Sequence, residues 1–118
     1  SNDDLKCLYR YMLLARRTDE RMLMMQRQGR LGTFPQSSGH EAISMGSVIH
    51  LKKSDWHVPA YRELAGLLYR VWSIDSTLLY WNGYEEGARP PEGVNDLPVC
   101  VPIASQLLHA AGIGMGMN

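Results

Sequence analysis

The chain carries no excess charge of either sign, has only two cysteines, and contains no apolar run approaching the ~20 residues needed to span a bilayer. Each shortage excludes something. Twelve Lys and Arg offset twelve Asp and Glu, so bulk electrostatics favour neither nucleic acid nor a polyanionic membrane, and any anion site must be local. Cys7 and Cys100 lie far apart without metal-ligand spacing, which reads as two reduced, packed thiols in a reducing compartment. The first residues show no basic-then-apolar signal pattern, and there is no internal repeat or low-complexity tract. What is present is 118 residues with 45% hydrophobic content, which suits one ordinary domain with a moderate core.

The pattern of apolar residues lays out the elements. Leu5, Leu8, Met12, Ala15, Met22 and Met25 recur at three- and four-residue steps, with Asp19 interrupting the stripe, and predict a helix from about Asp3 to Gln28. Gly29 and Gly32 supply the stop. So long a helix cannot bury its apolar surface on itself, and its adaptable methionines are expected to face another subunit or a further part of the chain. Ser38 followed by Glu41 reads as a capping box, which predicts a helix from Gly39 with Ala42, Ile43, Met45, Gly46 and Ile49 inward and Gly46 at a close approach. The intervening loop, Thr33 to Ser37, includes Phe34 and Pro35 and is placed to shape one wall of a pocket.

Lys52-Lys53-Ser54-Asp55 predicts a turn, and Trp56-His57-Val58-Pro59 a short strand. Ala60-Tyr61-Arg62-Glu63 then opens a helix with Leu64, Leu67, Leu68 and Val71 on its apolar face. On local grounds Arg62 pairs with a carboxylate and Tyr61 packs in the core. The alternative is a diphosphate site, where helix N-H groups, the Arg62 fork and the Tyr61 hydroxyl converge on phosphate oxygens. Ser73 caps a helix over Ile74 to Asn82, packed through Leu78, Leu79 and Trp81 and ended by Gly83. A long loop to Leu97, a buried strand at Val99-Cys100-Val101, and a helix from Pro102 through Gly112 complete the layout.

Four signatures in order carry a resemblance: Arg27-Gln28-Gly29-Arg30, Gly39-His40-Glu41-Ala42, Tyr61-Arg62-Glu63 and Ile103-Ala104-Ser105-Gln106. Together they resemble the alpha subunits of the thiamine diphosphate-dependent decarboxylating component of 2-oxo acid dehydrogenase complexes. The bacterial pyruvate branch is the nearest match, through Pro91-Glu92-Gly93-Val94-Asn95-Asp96-Leu97. The likeness covers nearly the whole chain but only the first third or so of such a subunit. It implies an α/β fold, a partial thiamine diphosphate-binding domain that is mostly helical with short strands. Residues 1–32 would be the long helix and its stop, and 33–118 the start of the cofactor-binding region, with the stop at Asn118 suggesting a fragment.

By the same resemblance, Tyr61 and Arg62 would contact the cofactor diphosphate, and the backbone at Val101 and Ile103 would approach the aminopyrimidine. Phe34 would stand beside the substrate channel. Pro35 stands where some pyruvate-specific relatives carry a histidine, a departure from that family pattern at the substrate contact. A structural potassium ion would sit on Pro102, Ser105 and Gln106. The cofactor's magnesium ion, which prefers hard oxygen ligands, would be held by a Gly-Asp-Gly motif and an asparagine that this sequence lacks. The implied assembly is an alpha2-beta2 heterotetramer that passes acyl groups from a 2-oxo acid to a lipoyl acyltransferase component. Neither nucleic acid nor membrane is expected as a partner, and the compartment is the bacterial cytoplasm or an organelle matrix. The competing readings are a branched-chain 2-oxo acid or acetoin dehydrogenase alpha subunit, and a non-catalytic helical interaction domain in which the same residues are structural.

Overall fold

The three- to four-residue spacing of apolar side chains produces a helix, α1, at Asn2–Arg27 in the computed structural model, which describes residues 2–117. Its end follows from backbone chemistry. Gly29 adopts a left-handed φ of 69°, so that the Arg30 amide bonds the Met25 carbonyl at 2.9 Å and the Gly29 amide bonds that of Gln26 at 3.0 Å. Gly32 acts differently, because any Cβ there would collide with the Trp81 carbonyl oxygen. The residue that seemed to break the stripe, Asp19, is 1% exposed.

α2 spans Glu41–Val48, two residues later than the capping box predicts. Ser38 caps nothing. Instead the Glu41 carboxylate accepts from the Gly39 amide at 3.0 Å and pairs with Arg16 of α1, with Nε at 2.6 Å and Nη2 at 3.0 Å. That pairing turns the helix so that Glu41, Ser44, Met45 and Val48 face inward and Ile43 stands 71% exposed. The close approach expected at Gly46 falls at Gly66, where a Cβ would lie 3.0 Å from the Ser44 carbonyl and the amide donates to Ser44 Oγ at 2.7 Å.

The turn at Lys52–Asp55 forms as expected, closed by Lys52 N-H to Asp55 Oδ2 at 2.9 Å. β1 is shorter than expected, Trp56–His57, and pairs in parallel with β2, Asn95–Asp96. The second strand thus lies inside the expected long loop, and Val99-Cys100-Val101 forms none. Pairing decided this, because Asp96 brings a buried charge network to His57 and the apolar 99–101 run has no strand beside it. α3 begins only at Leu64 (Leu64–Tyr69), leaving Tyr61 and Arg62 in the preceding turn. Leu64, Leu67 and Leu68 are buried as predicted, but Val71 is 57% exposed with φ 63°, past the helix end.

α4 is Ile74–Trp81, capped by Ser73 Oγ accepting from the Ser76 amide at 2.9 Å. Thr77 rather than Leu79 is its buried residue. A 3₁₀ turn at Glu85–Ala88 folds back on α4, where Gly87 lies too close to Tyr80 to accept any side chain. α5 is Ser105–Gly116, and none of its residues is buried. Asn118 lies outside the described residues.

The core joins α1, α2 and α3 through Ala15, Met45, Leu64, Ala65 and Leu68. Tyr11 and Tyr69 close one side edge to face, centroids 5.4 Å apart, a contact worth about 1 kcal/mol beyond its buried area. The described residues therefore form a mostly helical unit with one short, two-stranded parallel sheet.

Candidate functional site

Three anchors fix the loop between α1 and α2. Asp19 Oδ1 accepts from the Ser37 amide at 2.7 Å, Glu41 holds the Gly39 amide, and the Gln36 carbonyl accepts from Arg62 Nη1 at 2.8 Å. The Arg16 guanidinium, by direct hydrogen bond and charge, holds the Glu41 carboxyl below the usual carboxylate range. Sequence reasoning missed Asp19 as an anchor. Its signal was visible, since an acid at a core position of an apolar stripe either breaks the helix face or bonds something across it.

Tyr61 and Arg62 line an open groove of about 320 Å³ together with Ile103 and Gln106. Chain segments some forty residues apart thus meet, and His40 and Ile43 at the start of α2 line the same groove. Arg62 lies 5.8 Å from the centroid of the Tyr61 ring, and its bond to Gln36 engages a single nitrogen. The rest of the guanidinium fork has no hydrogen-bond partner among the described residues. Gln106 Oε1 is likewise buried without one.

Tyr61 also lines a small cavity of about 20 Å³ with Phe34, Pro35, Trp72, Tyr80 and Asp19, whose Oδ2 is buried without a partner. That is room for about one water molecule. Val101, 48% exposed, does not line the groove, and neither do Pro102 and Ser105. The latter two share one turn, in which Ser105 Oγ donates to the Pro102 carbonyl at 2.7 Å and contacts Cys100 Sγ at 2.9 Å. Ala104 between them has φ 65°, a left-handed conformation costing a residue with a Cβ about 1 kcal/mol or more. Among the described residues, no cluster of three or more His, Cys, Asp or Glu side chains is arranged to hold a metal ion.

Beside the groove lies a charge network that sequence reasoning did not find. Asp96, wholly buried, accepts from Arg70 Nε and Nη2 at 2.9 and 2.7 Å, from Trp72 Nε1 at 2.9 Å, and faces His57 Nδ1 at 3.4 Å. His57 Nε2 faces the Glu63 carboxylate at 3.5 Å without hydrogen-bond alignment. Burial disfavours the imidazolium, but Asp96 and Glu63 outweigh it and raise the His57 pKa. Burial also raises Asp96, and bonds from His57, Arg70 and Trp72 overcome that and lower it.

The dehydrogenase E1 component model matches residues 9–117. The chain is 42% identical over 108 residues to the pyruvate dehydrogenase E1 component subunit alpha of Acholeplasma laidlawii, covering 92% of this chain and 31% of that protein. It is 39% identical over 114 residues to the subunit of the same name from Mycoplasma pneumoniae, covering 97% and 32%. For that of Bacillus subtilis the values are 32% over 118 residues, covering 100% and 32%. The chain thus spans about a third of the length of the curated relatives it matches. A match across nearly every described element, including the residues that line the groove, means that this chain belongs to the dehydrogenase E1 component family.

Proposed function

We propose that the chain is the N-terminal part of the alpha subunit of a pyruvate dehydrogenase, and that its groove grips the diphosphate of thiamine diphosphate. The observation that carries the reading is the meeting of Tyr61 and Arg62 with Ile103 and Gln106 in one groove, in a chain whose relatives bear that name. The residues fit the group. Arg62 offers unengaged N-H donors in a planar fork suited to phosphate oxygens, and Tyr61 offers a hydroxyl beside it. Because α3 starts four residues later than the sequence predicts, the grip relies on these side chains rather than on helix N-H groups.

When bound, thiamine diphosphate supplies the carbanion-stabilising chemistry that decarboxylation of a 2-oxo acid requires. The chain's own residues bind and orient it. Arg62 and Tyr61 anchor the diphosphate end, and the backbone at Ile103, which lines the groove, together with that of Val101 just outside it, steadies the aminopyrimidine. Phe34 borders the substrate channel. The Pro102 carbonyl and the side-chain oxygens of Ser105 and Gln106 would hold a potassium ion, and the unpartnered Gln106 oxygen supports that site. Magnesium ligands belong to other segments of the protein.

In this reading residues 1–118 are one piece of a cofactor-binding domain, with the long helix and its stop at 1–32 and the cofactor-binding region from 33 onward. The working enzyme is an alpha2-beta2 heterotetramer that serves a lipoyl acyltransferase in the bacterial cytoplasm. No helix among the described residues is long and apolar enough to cross a membrane. Family membership gives no support to a non-catalytic interaction domain.

The test is Arg62→Ala in the full-length chain assembled with its beta subunit. We expect thiamine diphosphate affinity to fall by about tenfold to a hundredfold, the scale of one to two lost charge-assisted hydrogen bonds. Unchanged affinity in a correctly assembled tetramer overturns the diphosphate assignment.

A further inference from the structure

Glu63 sits in an odd place for a cofactor site that takes an anion. It lines the groove next to Arg62, and its carboxylate opposes any phosphate there. It stands at the N-cap position of α3, and its side chain makes no capping bond there. It turns instead toward His57 Nε2, 3.5 Å away. His57 is 6% exposed and its other nitrogen faces Asp96, which Arg70 and Trp72 hold from the segment that follows α3.

Resting on the cofactor reading above, we propose that His57 is a positioning residue for the diphosphate grip: fixed by Asp96, its imidazolium draws the Glu63 carboxylate to itself and neutralises it, leaving Arg62 as the net charge facing the groove. The charge count supports this. With His57 protonated, two cations, His57 and Arg70, face two carboxylates, Asp96 and Glu63. Arg70 is committed to Asp96 and to the Lys52 and Asp55 carbonyls. Deprotonation of His57 therefore leaves Glu63 without a facing cation among the described residues, at the rim of the anion site. The raised His57 pKa keeps the imidazolium charged at and above the pH where a free histidine loses its proton. His40 lines the same groove, but its contribution is common to every variant below.

The experiment titrates thiamine diphosphate with magnesium into the full-length alpha chain assembled with its beta subunit, from about pH 6 to about pH 9, following tryptophan fluorescence. Wild type, His57→Gln and the double variant His57→Gln, Glu63→Gln are compared. We expect wild-type affinity to fall by about fivefold across the range, the lower end of typical site-site coupling. His57→Gln is weak throughout and lacks that step. Removing Glu63's charge from it restores affinity to near the low-pH wild-type level. If His57→Gln matches wild type in affinity and profile, the inference is wrong. It is equally wrong if His57→Gln binds weakly and the second change rescues nothing, since a merely structural histidine behaves that way. Arg62→Ala binding as tightly as wild type sinks the cofactor reading itself, a result distinct from either failure.

Discussion

Asp96 carries its charge where water does not reach, and four hydrogen-bonding contacts from Arg70, Trp72 and His57 are what make that tolerable. Removing the charge strands Arg70 in the interior, so Asp96→Asn is expected to destabilise the protein by about 3 kcal/mol, read as a drop in Tm. The same network fixes a pH profile. Asp96 has a lowered pKa in the fold, so its contribution is present above the unfolded value of about 3.9 and is lost as pH falls through the folded value. His57 has a raised pKa, so its contribution is full below about 6.5 and is lost as pH rises through the folded value. From these two groups stability is greatest between about pH 4 and about pH 6.5, and in Asp96→Asn a Tm scan loses the acid limb due to Asp96. None of this was legible beforehand. His57 and Asp96 are thirty-nine positions apart, and neither stands in a pattern that requires a partner.

Three helices end by one motif, and only two of them use glycine. At Gly29, Val71 and Gly83 the chain turns left-handed, and the next residue's amide reaches back to the carbonyl five positions earlier: Arg30 to Met25, Trp72 to Leu67, Tyr84 to Leu79. Val71 is the misfit, a β-branched residue at positive φ with its side chain 57% exposed. Val71→Gly therefore relieves strain while giving up little packing, and we expect a gain of about 1 kcal/mol in thermal or urea unfolding. A loss of stability shows that the valine packs more than its exposure suggests. Helix existence was legible in the spacing of α1, the Ser73 cap of α4 and the stops at Gly29 and Gly83, because these depend on neighbours within one turn. The starts of α2 and α3 were not. Glu41 is claimed by Arg16, twenty-five residues away, and the turn bearing Arg62 is held by Gln36, twenty-six away, so contacts outside the local window moved both boundaries.

The described residues extend over 48 × 36 × 25 Å, with a radius of gyration of 14.3 Å against about 13.5 Å for a compact chain of this length. The excess has a visible source. α5 contributes nothing to the core, and Ile103, Leu107, Leu108 and Met115 are 82%, 66%, 78% and 80% exposed. A twelve-residue helix with glycines at 112, 114 and 116 and no buried residue is marginal in water. We expect α5 amides to exchange with solvent deuterium within seconds in a polypeptide limited to residues 1–118, and to be protected in the assembled full-length protein. Slow exchange in the short polypeptide shows that α5 holds without further packing. The sequence by itself determined the helices, their glycine stops, and the order of the four signatures, since period, capping and left-handed φ act over a few residues. Only the tertiary structure decided that β1 pairs with 95–96 and not 99–101, that Asp19 anchors a loop, and that Tyr61 and Arg62 line one groove with Ile103 and Gln106. Those are pairings between distant segments, set by which buried charges and carbonyls find partners.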